Sequence, residues 1–178
     1  MKLHLGCGDK YLEGFIHCDI RKYEHVDYVV NLNDLSIFKD NSADEIYACH
    51  VLEHFGRFEI EDVLKEWNRV LKKDGILRIC VPNFDSIVDY YRKGGELNEL
   101  MGLLYGGQDY EYNFHKTTFT FDYLKKILLN CGFYKVKIYE WDEFLPKGYD
   151  DFSRAYLPHM DFENGLLMSL NLIAIKKS

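Results

Sequence analysis

Short apolar runs alternate with amphipathic stretches along this chain, a pattern that predicts a mostly parallel sheet with helices on both faces. Leu3 to Leu5 reads as a first strand that stops at Gly6, and Phe15 to Ile20 as a second that carries Asp19 at its end. Tyr28 to Asn31 is a candidate third strand, and Ile46 to Cys49 a fourth after the turn signal Asp40-Asn41-Ser42. From Glu59 to Lys73 the apolar positions Ile60, Val63, Leu64, Trp67, Val70 and Leu71 recur at three- and four-residue spacing, which predicts an amphipathic helix ended by Asp74-Gly75. Ile76 to Val81 follows as a fifth strand, stopped by Pro82, which has no N–H to donate to a ladder. Phe121 to Asn130 reads as another helix with Gly132 at its C-terminal cap, and Tyr134 to Trp141 and Leu170 to Ile175 as the two closing strands.

Two stretches resist that alternation. Residues 84–118 are helical in part but carry Gly94-Gly95 and Gly106-Gly107, and residues 142–169 show no clear period. Long connections often carry function, so both are candidate substrate regions. The 178 residues suit one domain, 1–178, and 47% apolar with 29% charged residues is the composition of a globular protein. A formal charge of −7 weighs against a nucleic-acid partner, whose phosphates demand clustered Lys and Arg. The five widely spaced cysteines signal neither a disulfide framework nor a thiolate metal site, so a cytoplasmic setting and no resident metal are expected. Neither a signal peptide nor a membrane span is legible in the apolar runs.

The first strand runs straight into Gly6-Cys7-Gly8-Asp9, where glycines allow a sharp turn and a close ligand approach. Asp19, at the end of the second strand, is placed to accept hydrogen bonds from both hydroxyls of a ribose. His54, His115 and His159 are candidate general bases, each with an alternative as an ordinary hydrogen-bonded side chain. Arg154 is a candidate for binding an acceptor carboxylate or phosphate, with an ion pair to Asp150 or Asp151 as the alternative. Tyr112, with Tyr90, Tyr91, Tyr105 and Tyr110, offers a wall for a sugar or aromatic acceptor, or else packing of a helical insertion. His50-Val51-Leu52-Glu53-His54 also matches the H-x-x-E-H pattern of one group of zinc peptidases, which requires both histidines on one helical face. The pattern here straddles a strand end, so a zinc hydrolase is the lesser alternative.

Leu3-His4-Leu5-Gly6-Cys7-Gly8 followed by Gly14-Phe15-Ile16-His17-Cys18-Asp19-Ile20 resembles the class I S-adenosylmethionine-dependent methyltransferases. The likeness continues through Asn33-Asp34-Leu35, Ser42 to Ile46, Leu52-Glu53-His54 and Val70 to Leu77. It implies an α/β Rossmann-like fold whose seven-stranded sheet ends in an antiparallel strand, with S-adenosylmethionine as cofactor. It further implies Gly6, Cys7 and Gly8 against the methionine portion, Asp19 and Ile20 at ribose and adenine, Asp34 and Leu35 at adenine, and His50 in the loop after the fourth strand. Ser153 to Met160 is similar to small methyltransferases associated with surface-polysaccharide biosynthesis, which implies methylation of a small-molecule or sugar acceptor, at oxygen. His4 and Lys10 depart from the residue types usual at those places, and the N-terminal cover helices of many relatives have no counterpart. These departures keep an inactive, cofactor-binding relative as an alternative, and the closing strand pair is a candidate homodimer edge.

Overall fold

The computed structural model describes residues 1–177. The chain enters through strand β1 (Lys2–Leu5) and steps outward through β2 (Ile16–Asp19) to the short β3 (Tyr28–Val29). It then crosses back over β1 to β4 (Ala43–Cys49), and helix α1 (Ile60–Val70) leads to β5 (Leu71–Pro82). Helices α2 (Phe84–Arg92), α3 (Leu97–Tyr105) and α4 (Phe121–Asn130) precede β6 (Phe133–Ile138). A small hairpin of β7 (Tyr156–Leu157) and β8 (Leu166–Leu167) comes before the last strand, β9 (Ser169–Lys176). The sheet order is β3-β2-β1-β4-β5-β9-β6, with β9 antiparallel to both its neighbours. This is the Rossmann-like class I methyltransferase arrangement that the resemblance implies.

Alternation along the central strands decides what each face touches. Leu3, Leu5, Ile46, Ala48, Leu77 and Ile79 point into the main core with Val63, Leu64 and Trp67 of α1 and Leu124 and Leu128 of α4. Trp67 is fully buried and its indole N–H donates to the Leu32 carbonyl at 2.8 Å, which ties the helix to the chain just past β3. His4, Tyr47 and Cys80 point to the opposite face. There the alternation predicts helices too, but Leu12, Phe15, Phe144, Leu145 and Tyr149 from short connections cover them instead.

Several boundaries differ from the sequence reading, among them the start of β4 at Ala43 and the end of β6 at Ile138. Helix α1 ends at Val70 rather than at Asp74-Gly75, because Leu71 turns extended and pairs with Ala43 of β4. Asp74, with φ at 59°, and Gly75 therefore lie inside β5. The third strand is only Tyr28–Val29, both exposed. The sheet edge formed by β6 shifts register between Tyr134 and Lys137 and presents exposed Lys135 and Lys137, devices that discourage pairing between two copies.

The chain reverses direction across the sheet between β1 and β4. In open α/β sheets a ligand crevice lies outside the carboxyl ends of the strands at such a switch point. No helix among the described residues is long and apolar enough to cross a membrane.

Candidate active site

A cleft of about 580 Å³ opens at that switch point, lined by the residues that follow β1, β2, β3 and β4. Gly6 and Gly8 have φ of 65° and 55°, so β1 leaves the sheet in a turn that side-chain-bearing residues rarely adopt. A Cβ at Gly6 would come within 2.3 Å of Val51 Cγ2, whereas one at Gly8 would meet nothing within 4 Å and would point into open space. The Gly8 N–H donates to Asp19 Oδ2 and the Arg21 N–H to Asp19 Oδ1, each at 2.8 Å. The glycine turn and the carboxylate therefore meet directly, and Asp19, 6% exposed, keeps lone pairs free on both oxygens. Cys7 is buried beside them, and burial pushes its thiol up to about 12, so it stays protonated and unreactive.

Ile20 also lines the cleft, as do Arg21 and Tyr23, which the sequence reading did not include. The Arg21 guanidinium packs over the Tyr110 ring at 4.1 Å and the Tyr23 ring at 5.1 Å. Asp34 and Leu35 do not reach the cleft. Leu35 is fully buried in the core with its N–H on Glu66 Oε1, and Asp34 is an exposed turn residue accepting from the Ser36 N–H. Asn31, Leu32 and Asn33 form that wall in their place. The strand-end rule points to them once β3 is known to stop at Val29.

The loop after β4 begins with His50 at φ 53°. Its Nε2 lies 3.1 Å from Ser169 Oγ, whose own proton goes to Asn171 Oδ1 at 2.8 Å, and Asn171 in turn donates to the Ser153 carbonyl. His50 therefore carries its proton on Nε2, and its Nδ1 lone pair faces Glu53 Oε1 at 3.4 Å. Burial holds the ring neutral, with a pKa lowered to about 3. The partners Ser153, Ser169 and Asn171 carry no sequence signal, since they arrive from the far end of the chain.

The 3₁₀ turn Leu52–His54 puts Glu53 into the interior and His54 at the cleft. His50 and His54 flank a strand end and a turn rather than one helical face, so the H-x-x-E-H segment lacks the zinc-peptidase arrangement. The Lys116 and Thr117 N–H groups both donate to the Glu53 carbonyl, which docks the segment after α3 on this turn and brings His115 against His54. Their rings meet edge to face, 4.8 Å between centroids. Burial lowers His54 to about 4 and also lowers His115, while burial raises the Glu53 carboxyl to about 8. Burial therefore favours the uncharged form of all three groups.

Tyr112 lines the cleft with Tyr110, Asn113, Lys116, Asp151 and Phe152. Tyr90, Tyr91 and Tyr105 lie outside it, and the Tyr90 hydroxyl donates to Glu99 within the helical insertion. Arg154 lines a separate pocket of about 380 Å³, held between the Trp141 and Phe162 rings at 4.8 and 4.7 Å and 3.7 Å from Asp150. His159 is exposed and borders neither pocket.

Residues 3–79 match the family described as a methyltransferase domain. These residues carry a methyltransferase domain, and the whole chain has the class I methyltransferase fold. That domain and that fold imply S-adenosylmethionine as the cofactor. Among solved structures it is similar to a methyltransferase from Methanosarcina mazei at 19% identity, covering 99% of this chain and 92% of that one, with a TM-score of 0.62. A methyltransferase from Archaeoglobus fulgidus is 18% identical over 98% of this chain and 85% of that one, with a TM-score of 0.59. The CurJ carbon methyltransferase is 17% identical with a TM-score of 0.58; 99% of this chain matches it but spans only 48% of that chain. At such identities the likeness is one of fold. No curated protein matches the chain.

Proposed function

We propose that this chain is an S-adenosylmethionine-dependent methyltransferase that modifies an oxygen of a small hydroxylated acceptor, a sugar unit in particular, in the cytoplasm. The observation that carries the reading is the make-up of the cleft beyond the glycine turn. Tyr110, Tyr112 and Phe152 offer ring faces for the C–H surface of a sugar, and Asn113 and Lys116 offer donors for its hydroxyls. A surface-polysaccharide setting rests on the resemblance of Ser153 to Met160.

In this reading Gly6, Cys7 and Gly8 take the methionine portion of the cofactor, Asp19 and Ile20 the ribose, and Leu32 and Asn33 the adenine edge, with His50 closing the far side. The sulfonium already activates the methyl group, so the protein's task is alignment. The neutral His54 ring accepts a hydrogen bond from the acceptor hydroxyl and turns an oxygen lone pair towards the methyl carbon. The O–C bond forms as the C–S pair returns to sulfur, and the hydroxyl proton leaves to water.

Incubation with S-adenosylmethionine and a panel of nucleotide-sugars, glycans, phenols and amines tests this, with S-adenosylhomocysteine measured by mass spectrometry and the methylated atom located by NMR. An O-methylated sugar is the expected product. Methylation confined to amines, or silence across all hydroxyl acceptors despite tight cofactor binding, would overturn the reading.

A further inference from the structure

Glu53 is fully buried, and neither of its carboxyl oxygens has a hydrogen-bond partner. An unpartnered buried polar group carries a desolvation cost of a few kcal/mol, so the surroundings of this one are informative. No Lys or Arg pairs with it among the described residues; Oε1 faces His50 Nδ1 at 3.4 Å and His115 Nε2 at 3.9 Å. Donor atoms of Glu53, His54 and His115 all lie within 4.8 Å of one another.

The two imidazoles are oriented alike. His115 Nδ1 lies 2.9 Å from the Leu103 carbonyl and His54 Nδ1 lies 3.3 Å from the Phe114 carbonyl. A carbonyl can only accept, so both rings carry their proton on Nδ1 and leave the Nε2 lone pair free. This is the outer support that fixes the tautomer and ring plane of metal-binding histidines. Two imidazoles and one carboxylate form a set of three protein ligands with an open position, suited to zinc-like divalent cations.

We propose that Glu53, His54 and His115 hold a divalent transition cation of the zinc type, with its open coordination position towards the cleft. The ligand set differs from the H-x-x-E-H pattern, since His50 is engaged with Ser169 and His115 replaces it. Metal–ligand bonds of about 2.0–2.2 Å place neighbouring donors of a tetrahedral site about 3.4 Å apart. Closing the triad to that spacing takes side-chain shifts of about an ångström, at His54 and His115, both half-buried. Resting on the acceptor reading above, the bound cation would take the acceptor hydroxyl as its fourth ligand, in place of the hydrogen bond to His54, whose free lone pair then binds the cation. The proton then departs to solvent, the alkoxide attacks the sulfonium methyl, and the thioether leaves with the C–S pair.

Cobalt(II) titration of the full chain, freed of metal by chelator, reads occupancy through the visible absorption of the bound ion without any turnover. One cobalt per chain is expected, displaced by zinc. Glu53→Gln and His115→Gln should each weaken binding by at least about 100-fold, while His159→Gln leaves it unchanged. Glu53→Gln keeps the shape of a neutral carboxyl, and a thermal melt confirms that each variant is folded. No saturable absorption, or an undiminished signal in both folded variants, overturns the site. Metal binding with no hydroxyl methylation would leave the site standing and remove the acceptor reading. Hydroxyl methylation unaffected by chelator would remove the cation from the reaction and leave the acceptor reading standing.

Discussion

Asp19→Ala should weaken S-adenosylmethionine binding by about 150-fold. The carboxylate spends one lone pair of each oxygen on the Gly8 and Arg21 N–H groups, which leaves one on each for the two ribose hydroxyls. Hydrogen bonds to an ionised group contribute about 1.5 kcal/mol each at the low end of their range, so losing two costs about 3 kcal/mol. At 1.4 kcal/mol per decade that is slightly more than two decades in Kd. Because the partner lost in the proposed pose is the ribose, S-adenosylhomocysteine and adenosine should lose the same factor. The substitution also frees the Gly8 N–H into an open cleft where water can reach it, so the stability loss stays near about 1.5 kcal/mol, or about 5 °C in Tm for a domain of this size. Titration calorimetry with the three ligands, alongside thermal melts, measures both. A folded Asp19→Ala protein that binds within threefold of the wild type would refute the reasoning.

The two glycines should separate stability from binding. Gly6→Ala puts a Cβ 2.3 Å from Val51 Cγ2 at φ 65° and should cost about 3 kcal/mol in a urea unfolding curve. Gly8→Ala, with nothing within 4 Å, should cost only about 1 kcal/mol in stability but reduce cofactor affinity about tenfold by intruding on the cleft; the opposite ranking would contradict the geometry. His4 is packed against His17 of β2, Tyr47 of β4 and Phe15, with His25 and Asp27 beyond His17, and burial lowers its pKa from 6.5 to about 3. The unfolded chain therefore takes up a proton that the folded chain refuses, so stability falls as pH drops below 6.5, by up to about 1.4 kcal/mol per unit for this group. His4→Leu should flatten that slope between pH 6 and 5 in urea unfolding, and an unchanged slope would count against it. Arg154→Ala removes a guanidinium held between two rings and should lower stability by about 1 kcal/mol while cofactor affinity, read by calorimetry, stays the same.

What could be read from the chain alone was what local backbone chemistry controls. The helix over Phe121–Asn130 was legible to the residue, because its apolar spacing and the Gly132 stop lie within one short segment. The glycine turn and Asp19 were legible for the same reason, since a strand end and its turn must announce themselves in adjacent residues. Where the signal was weak the reading drifted. The edge strand Tyr28–Val29 is exposed on both faces and shows no alternation, so the residues that follow it into the cleft are Asn31–Asn33 and not the expected Asp34 and Leu35. The end of α1 was decided by the pairing of Leu71 with Ala43, a contact between strands that no helical period encodes. His54 with His115, and His50 with Ser169, are brought together only by folding. Long-range neighbours follow from how connections close over the sheet, and a buried, unpartnered Glu53 can be recognised only after that closure has removed it from water.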